Sequence, residues 1–239
     1  MNTRCVHLSP RLMAALSLLQ DCRVVADVGC DHGRLAAALL QQHVCERVIA
    51  TDVSADSLEK ARALLSYIGL SERVSIRLGD GLKVLQEGEC DAICLLGMGG
   101  TLMCDILSAV DCPLMGARLA VFQPMRAQAD IRRYLHQNSY HVLDDRIVTE
   151  HGRLYQVFSA QKCHAIQPLP QGFPPDFYDV GFVSFSQRDP LLPALIGAQL
   201  RQHRLRLQTA AHTKGEAVLL QKVSALEAIR SAFLKGEPI

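Results

Sequence analysis

The residues with the most chemical content lie in four short turns. Asp27-Val28-Gly29-Cys30-Asp31-His32-Gly33 follows one apolar run, and Asp52-Val53 closes a second. Asp80 stands between Gly79 and Gly81 after a third run, and Gly97-Met98-Gly99-Gly100 follows a fourth. Glycine lets a backbone pass close beneath a ligand, and a helix that starts after such a turn presents free N–H groups. The carboxylates Asp27, Asp31, Asp52 and Asp80 add acceptors and negative charge at the same places.

That combination selects among ligands. A carboxylate at the end of a second strand, here Asp52, accepts hydrogen bonds from both ribose hydroxyls of a nucleoside. The first turn lacks the full G-x-G-x-x-G that cradles a pyrophosphate. Its extra acids, Asp27 and Asp31, would repel a pyrophosphate but suit the amino group and sulfonium of S-adenosylmethionine. Asp80 is placed to accept from an adenine amino group. A methyl donor is therefore expected ahead of a nicotinamide dinucleotide.

The elements that must hold these turns alternate in type. Strands are expected at 23–28, 47–52, 74–78, 91–96 and 118–122, short apolar runs that are, taken together, nearly free of period-2 alternation. Helices are expected from Ser9-Pro10 to Leu19, from Gly33 to Gln42, after a Ser54 cap to Ile68, from Thr101 to Ser108, and from Ala127 to Gln137. Runs of this kind indicate a parallel sheet covered on both faces. Tyr140–Thr149 and Arg153–Ala160 read as two strands joined by a His151-Gly152 turn. The expected class is α/β, a Rossmann-like class I methyltransferase sheet, mostly parallel with a C-terminal antiparallel hairpin, plus a small C-terminal α-helical hairpin domain.

Residues 163–189 combine prolines, glycines and aromatics and read as a connector. Beyond it, Leu192, Ile196, Leu200, His203, Leu207 and Ala210 keep helical spacing, as do Leu219, Val223, Leu226, Ile229 and Phe233 after Lys214-Gly215. The expected division is 1–161 for cofactor binding and transfer and 162–239 for the connector and a helical, coiled-coil-like tRNA-binding unit.

The order Asp-x-Gly-x-Asp-His, then Gly-Met-Gly-Gly, with Ser9-Pro10-Arg11-Leu12 before and Gln123-Pro124 after, resembles the bacterial tRNA (adenine-22-N1)-methyltransferases, the TrmK family. The resemblance covers nearly the whole chain. It implies S-adenosylmethionine binding by Asp27, Gly29, Cys30, Asp52, Val53, Asp80, Gly81, Gly97 and Met98. It also implies a tRNA substrate, with Arg11, Arg34, Gly99 and Gly100 beside the target. In the family an aromatic residue commonly follows the His-Gly or His-Ala pair, where this chain has Arg34. Amino-methylating relatives carry Asn-Pro-Pro-aromatic in the slot of Gly97–Gly100. A ring nitrogen already has its lone pair in plane, so backbone carbonyls and a thioether suffice there. Asp31 and His32 are the expected catalytic pair, Asp31 stabilising a cationic methyladenine and His32 orienting it. The plainer alternative is that Asp31 only caps the following helix.

Between Pro190 and Gly215 there is no acidic residue, while Arg201, Arg204, Arg206 and Lys214 are present. Such a run suits phosphates and binds them without regard to sequence. The net charge of +1 offers a polyanion no pull of its own. Nine cysteines make an odd count without zinc-ligand spacing, and free buried thiols are expected with no metal. Neither a signal peptide nor a membrane-length apolar run is evident, so a cytoplasmic protein is expected; the sequence does not fix the oligomeric state, and a monomer is favoured. A methyltransferase for another RNA site or a small molecule, and a non-catalytic cofactor- and RNA-binding protein, are the alternatives.

Overall fold

The structure, a computed structural model, describes residues 5–109, 114–163, 177–210 and 214–237, the side chains of Ala210 and Lys214 excepted. One sheet holds β1 (Val24–Val28), β2 (Arg47–Asp52), β3 (Val74–Leu78), β4 (Ala92–Met98), β5 (Leu119–Pro124), β6 (Tyr140–Glu150) and β7 (Arg153–Lys162). Its order is β3-β2-β1-β4-β5-β7-β6, with β1 to β5 parallel and the last two strands antiparallel. From β1 the chain steps outward to β2 and β3, then crosses back to β4 on the other side of β1. Such a reversal opens a crevice at the carboxyl ends of the strands, where ligands bind.

Helices α1 (Pro10–Ser17), α2 (Arg34–Gln41) and α3 (Ala55–Tyr67) cover one face, and α4 (Gly100–Ser108) and α5 (Gln128–Gln137) the other. Strand β1 shows why its sequence does not alternate. Val25 packs on the first face with Leu39, Leu58 and Ala61, while Ala26 and Val28 pack on the second with Met103, Leu107 and Ile131. Both faces are dry, so both sets of positions are apolar. In the β6–β7 turn, His151 (φ 48°) and Gly152 (φ 74°) take the left-handed conformation that two-residue hairpins need.

Two local expectations are corrected. Ser9 does not cap α1 with its side chain. The cap comes from the far end of β6, where Glu150 Oε2 accepts from the Arg11 N–H at 3.2 Å. The segment read as a connector is, from residue 177 onward, core. There α6 (Phe177–Val180) and α7 (Phe182–Ser186) bury Phe177, Val180 and Phe185 in one apolar cluster with α8 (Leu192–Ala210) and α9 (Lys214–Lys235). Ile147 of β6 belongs to the same cluster, which seats the helices on the hairpin. Its aromatics read as loop composition because prolines and glycines surround them; Phe177 stacks edge-on with both Phe182 and Phe185.

The described cysteines are free thiols, and five of them are buried. Burial pushes Cys45 and Cys90 up to about 12, so they are inert hydrophobes in this fold. Among the described residues no helix is long and apolar enough to cross a membrane.

Candidate active site

The first turn is held by the end of β2. Gly29 and Cys30 both donate their N–H groups to the Thr51 carbonyl, at 2.8 and 3.0 Å. Asp52 then pins both sides: its Oδ2 accepts from the Asp31 N–H at 3.0 Å and its Oδ1 from the Ser54 N–H at 2.9 Å. A carboxylate has about four acceptor directions, so two remain for a ligand. Gly29 is required by its backbone, with the flexible tip of Met98 close beside it. Its φ is +77°, and a Cβ there would sit 3.0 Å from Met98 Cε.

Asp27 is the unusual residue. It is 3% exposed, and its Oδ2 has no hydrogen-bond partner. Burial, reinforced by the charges of Asp52 and Asp31, raises its carboxyl to about 7. A buried acceptor left bare costs roughly 1–3 kcal/mol, and a cationic donor placed against it removes that cost.

Asp31 and His32 meet side by side at the mouth, Oδ2 to Nδ1 at 2.6 Å, and both are exposed, Asp31 more than His32. Gly33, the N-cap of α2, has no side chain to cap it with, and the Asp31 carboxylate is turned to His32. Opposite them, Arg11 donates Nε to Glu150 at 3.0 Å and Nη1 to Gln123 Oε1 at 3.4 Å, with its guanidinium 5.1 Å from the Tyr155 ring centre. One cleft brings together Arg11, Asp27, Gly29, Cys30, Asp31, His32, Arg34 and Gly97. Arg34 at its edge donates to the His7 carbonyl at 2.5 Å.

A second hollow continues along the strand ends. The Gly79 N–H donates to the Asp52 carbonyl at 3.0 Å, which places Asp80 and Gly81 beside Leu102, Asp105 and Ile106. Asp80 holds Lys83 at 2.5 Å on its outer side. Val53 and Leu102 are exposed apolar residues at this end, 70% and 50% accessible, a surface for a flat base.

The loop after β4 is locked to the loop after β5. Met125 donates to the Met98 carbonyl and Gly100 to the Arg126 carbonyl, each at 2.8 Å. A Cβ on Gly100 would lie inside contact distance of the Ala127 carbonyl oxygen, so the tight approach requires glycine. Gly99 lies directly under the Arg126 side chain.

Residues 8–158 match the methyltransferase domain family. The chain belongs to that family. Over 156 residues this methyltransferase is 34% identical to the tRNA (adenine(22)-N(1))-methyltransferase of Bacillus subtilis (strain 168), covering 65% of this chain and 66% of that one. It is 30% identical over 155 residues to a putative tRNA methyltransferase of Mycoplasma pneumoniae, covering 64% and 70%. The alignments thus span about two thirds of the relatives' lengths. The crystal structure of the B. subtilis m1A22 tRNA methyltransferase TrmK superposes with a TM-score of 0.78 at 25% identity, over 96% of this chain and 98% of that one.

The basic residues of the helical unit stand apart from the methyltransferase cleft. Arg201, Arg204 and Arg206 are exposed on α8, and none lines either hollow. Arg204 is paired across the hairpin with Glu227 at 2.5 Å. The side chain of Lys214 lies outside the described residues. The reading of turns missed Glu150, Leu102 and Ile106. Glu150 is unreadable locally because its partner is Arg11; Leu102 and Ile106 stand among the other apolar positions of α4, and nothing in the sequence separates them from its core-facing residues.

Proposed function

We propose that this chain transfers the methyl group of S-adenosylmethionine to N1 of an adenine in tRNA, at position 22 as in its B. subtilis relative. The observation that carries the reading is Asp27: a buried, bare carboxylate oxygen at the switch point, with Asp31 and Asp52 beside it. Those residues fit a cofactor with an ammonium and a sulfonium and do not fit a pyrophosphate.

Asp27, Gly29 and Cys30 would hold the amino-acid end, Asp52 and Val53 the ribose, and Asp80, Gly81, Leu102 and Ile106 the base. Gly97 and Met98 would bound the cleft between cofactor and substrate. Bound there, the cofactor supplies an electrophilic methyl carbon. Adenine N1 already carries an in-plane lone pair, so the chain need supply no base to remove a proton from it. What the chain supplies is alignment and charge. The Asp31 carboxylate faces the positive charge that develops on the ring, and His32 fixes its orientation through Nδ1. The glycine loop at 97–100 lets the base edge approach the backbone.

Residues 1–161 carry the transfer, and the helical unit within 162–239 offers Arg201, Arg204, Arg206 and Lys214 to tRNA phosphates. The test is incubation of purified protein with unmodified tRNA and labelled S-adenosylmethionine, then mapping of the modified nucleotide. Label at adenine N1 is expected. A folded, cofactor-binding protein that labels no tRNA would sink the reading.

A further inference from the structure

The cleft has a charge problem that its own residues define. Its lining carries Asp27 and Asp31, with the Asp52 charge close enough to act on Asp27, and unit charges of like sign repel by about 1–4 kcal/mol at 4 Å in wet surroundings. A ribose-phosphate chain lowering one base into that cleft brings more negative charge toward these acids. Compensating cations must therefore stand at the rim, outside the acidic floor.

The rim supplies them from three separate pieces of chain. Arg11 comes from α1, Arg126 from the turn after β5, and Arg153 from the tip of the β6–β7 hairpin. Strand β7 comes level with Phe122 of β5 only at Phe158, and the hairpin turn faces Glu150 with Arg153. At about 3.3 Å per residue the tip stands on the order of 10 Å beyond the end of β5 at Pro124. The overhang is beside the cleft, because Glu150 at its tip grips Arg11, which also reaches Gln123.

Arg126 and Arg153 are both exposed, and neither has an ion-pair partner among the described residues. Glu150, the acid nearest the tip in sequence, is 6% exposed and committed to Arg11. Arg126 lies over Gly99, its Nε 3.3 Å from where a Cβ would be, at the opening of the glycine loop.

The geometry points to this rim as a phosphate clamp: Arg11, Arg126 and Arg153 bind the RNA backbone on either side of the nucleotide that enters the cleft. The inference rests on the tRNA reading above and deepens it, since the clamp is distinct from the cations of α8. It contributes affinity without sequence preference and sets how the strand is splayed.

The test compares Arg126→Ala, Arg153→Ala and the wild type in tRNA binding across a salt series, with methylation measured in parallel. Arg47→Ala, an exposed arginine at the opposite, amino end of β2, is the control. Each rim variant should weaken tRNA binding roughly fivefold and lower the salt slope by about one, while S-adenosylmethionine affinity is unchanged. Arg47→Ala should match the wild type. Unchanged slopes for both rim variants, in a wild type that methylates tRNA normally, overturn the clamp alone. A wild type that neither binds nor methylates tRNA overturns the clamp and the function together.

Discussion

Glu150 receives Arg11 twice, from its backbone N–H at 3.2 Å and from its guanidinium Nε at 3.0 Å, across 139 residues of chain. The same carboxylate therefore caps a helix and aims a side chain. Burial acts to raise its pKa, but the two Arg11 contacts help outweigh that, and the group is held below the ordinary glutamate value.

Replacing Glu150 with Gln keeps the shape and one acceptor but loses the charge. Arg11 is about a quarter exposed and can rehydrate, so the loss is about 1–2 kcal/mol rather than that of a fully buried pair. For a chain of this size that is a fall of a few degrees in Tm. Turnover on tRNA should drop at least tenfold at saturating cofactor while cofactor affinity stays within twofold. Thermal unfolding and single-turnover methylation measure the two effects, and wild-type turnover in a destabilised variant would refute the positioning role.

Asp27 makes cofactor binding and stability respond to pH in opposite directions. Its folded pKa of about 7 lies above the ordinary value of 3.8, so the folded state holds a proton that the unfolded state has released. Stability of the free protein therefore falls as pH rises from about 4 to about 7, and the penalty is complete above that. A cationic ligand favours the ionised form, so affinity for S-adenosylmethionine should increase across the same window. Asp27→Asn should flatten both profiles and weaken binding by about a hundredfold. Calorimetry at pH 6 and pH 8 decides it: equal affinities in the wild type count against the assignment.

Asp31 and His32 touch at the cleft mouth, where a developing charge would be felt. Asp31→Asn and His32→Asn should each lower kcat by about tenfold to a hundredfold, with cofactor affinity little changed. If both variants turn over like the wild type, the pair has no part in the chemistry and Asp31 serves only the loop.

Much of this was readable in short stretches of sequence because the physics is local. A turn of glycines and acids after a buried strand carries its meaning within seven residues, and the β1 run is apolar throughout because both its faces are covered. The β6–β7 turn was legible from His151-Gly152 alone. What was not legible is long-range. Glu150 reads as one polar position in an alternating strand, and nothing nearby identifies Arg11 as its partner. Phe177 and Phe185 sit in a stretch whose prolines and glycines suggest a linker, yet they start a core that only α8 and α9 complete. Arg132 and Asp145 likewise look like ordinary surface charges, although both are buried.

Gly100 and Gly97 make a matched pair for testing the floor of the cleft. A methyl group at Gly100 collides with the Ala127 carbonyl, whereas one at Gly97 meets nothing within 4 Å and pays only for its φ of +74°. Gly97→Ala should cost about 1–2 kcal/mol, from the left-handed backbone alone. Gly100→Ala must part the two loops, break the Gly100 to Arg126 hydrogen bond and shift Arg126, so it should cost more and also reduce tRNA turnover. Denaturant unfolding of both variants ranks them; the reverse order would mean that the loops are not locked as described.

A buried ion pair helps hold the helical unit. Arg132 of α5 donates one nitrogen to both oxygens of Asp145 on β6, at 2.9 and 2.7 Å, and another to the Tyr178 carbonyl of α6 at 3.1 Å. Its guanidinium also lies 4.5 Å from the Phe158 ring centre, and Ser184 of α7 donates to the Asp145 carbonyl. One ion pair thus joins α5, β6, α6 and α7. Desolvation outweighs Arg132 at Asp145, leaving its pKa raised, so the pair adds little net energy; removing one partner is another matter, because the other charge stays buried. Asp145→Ala should cost about 3–5 kcal/mol, while Asp145→Ala combined with Arg132→Met should recover a large part of it. Proteolysis should then cut first between the sheet and α8 in the single variant. A single variant as stable as the wild type would show that the helices stay seated through the Ile147 cluster alone.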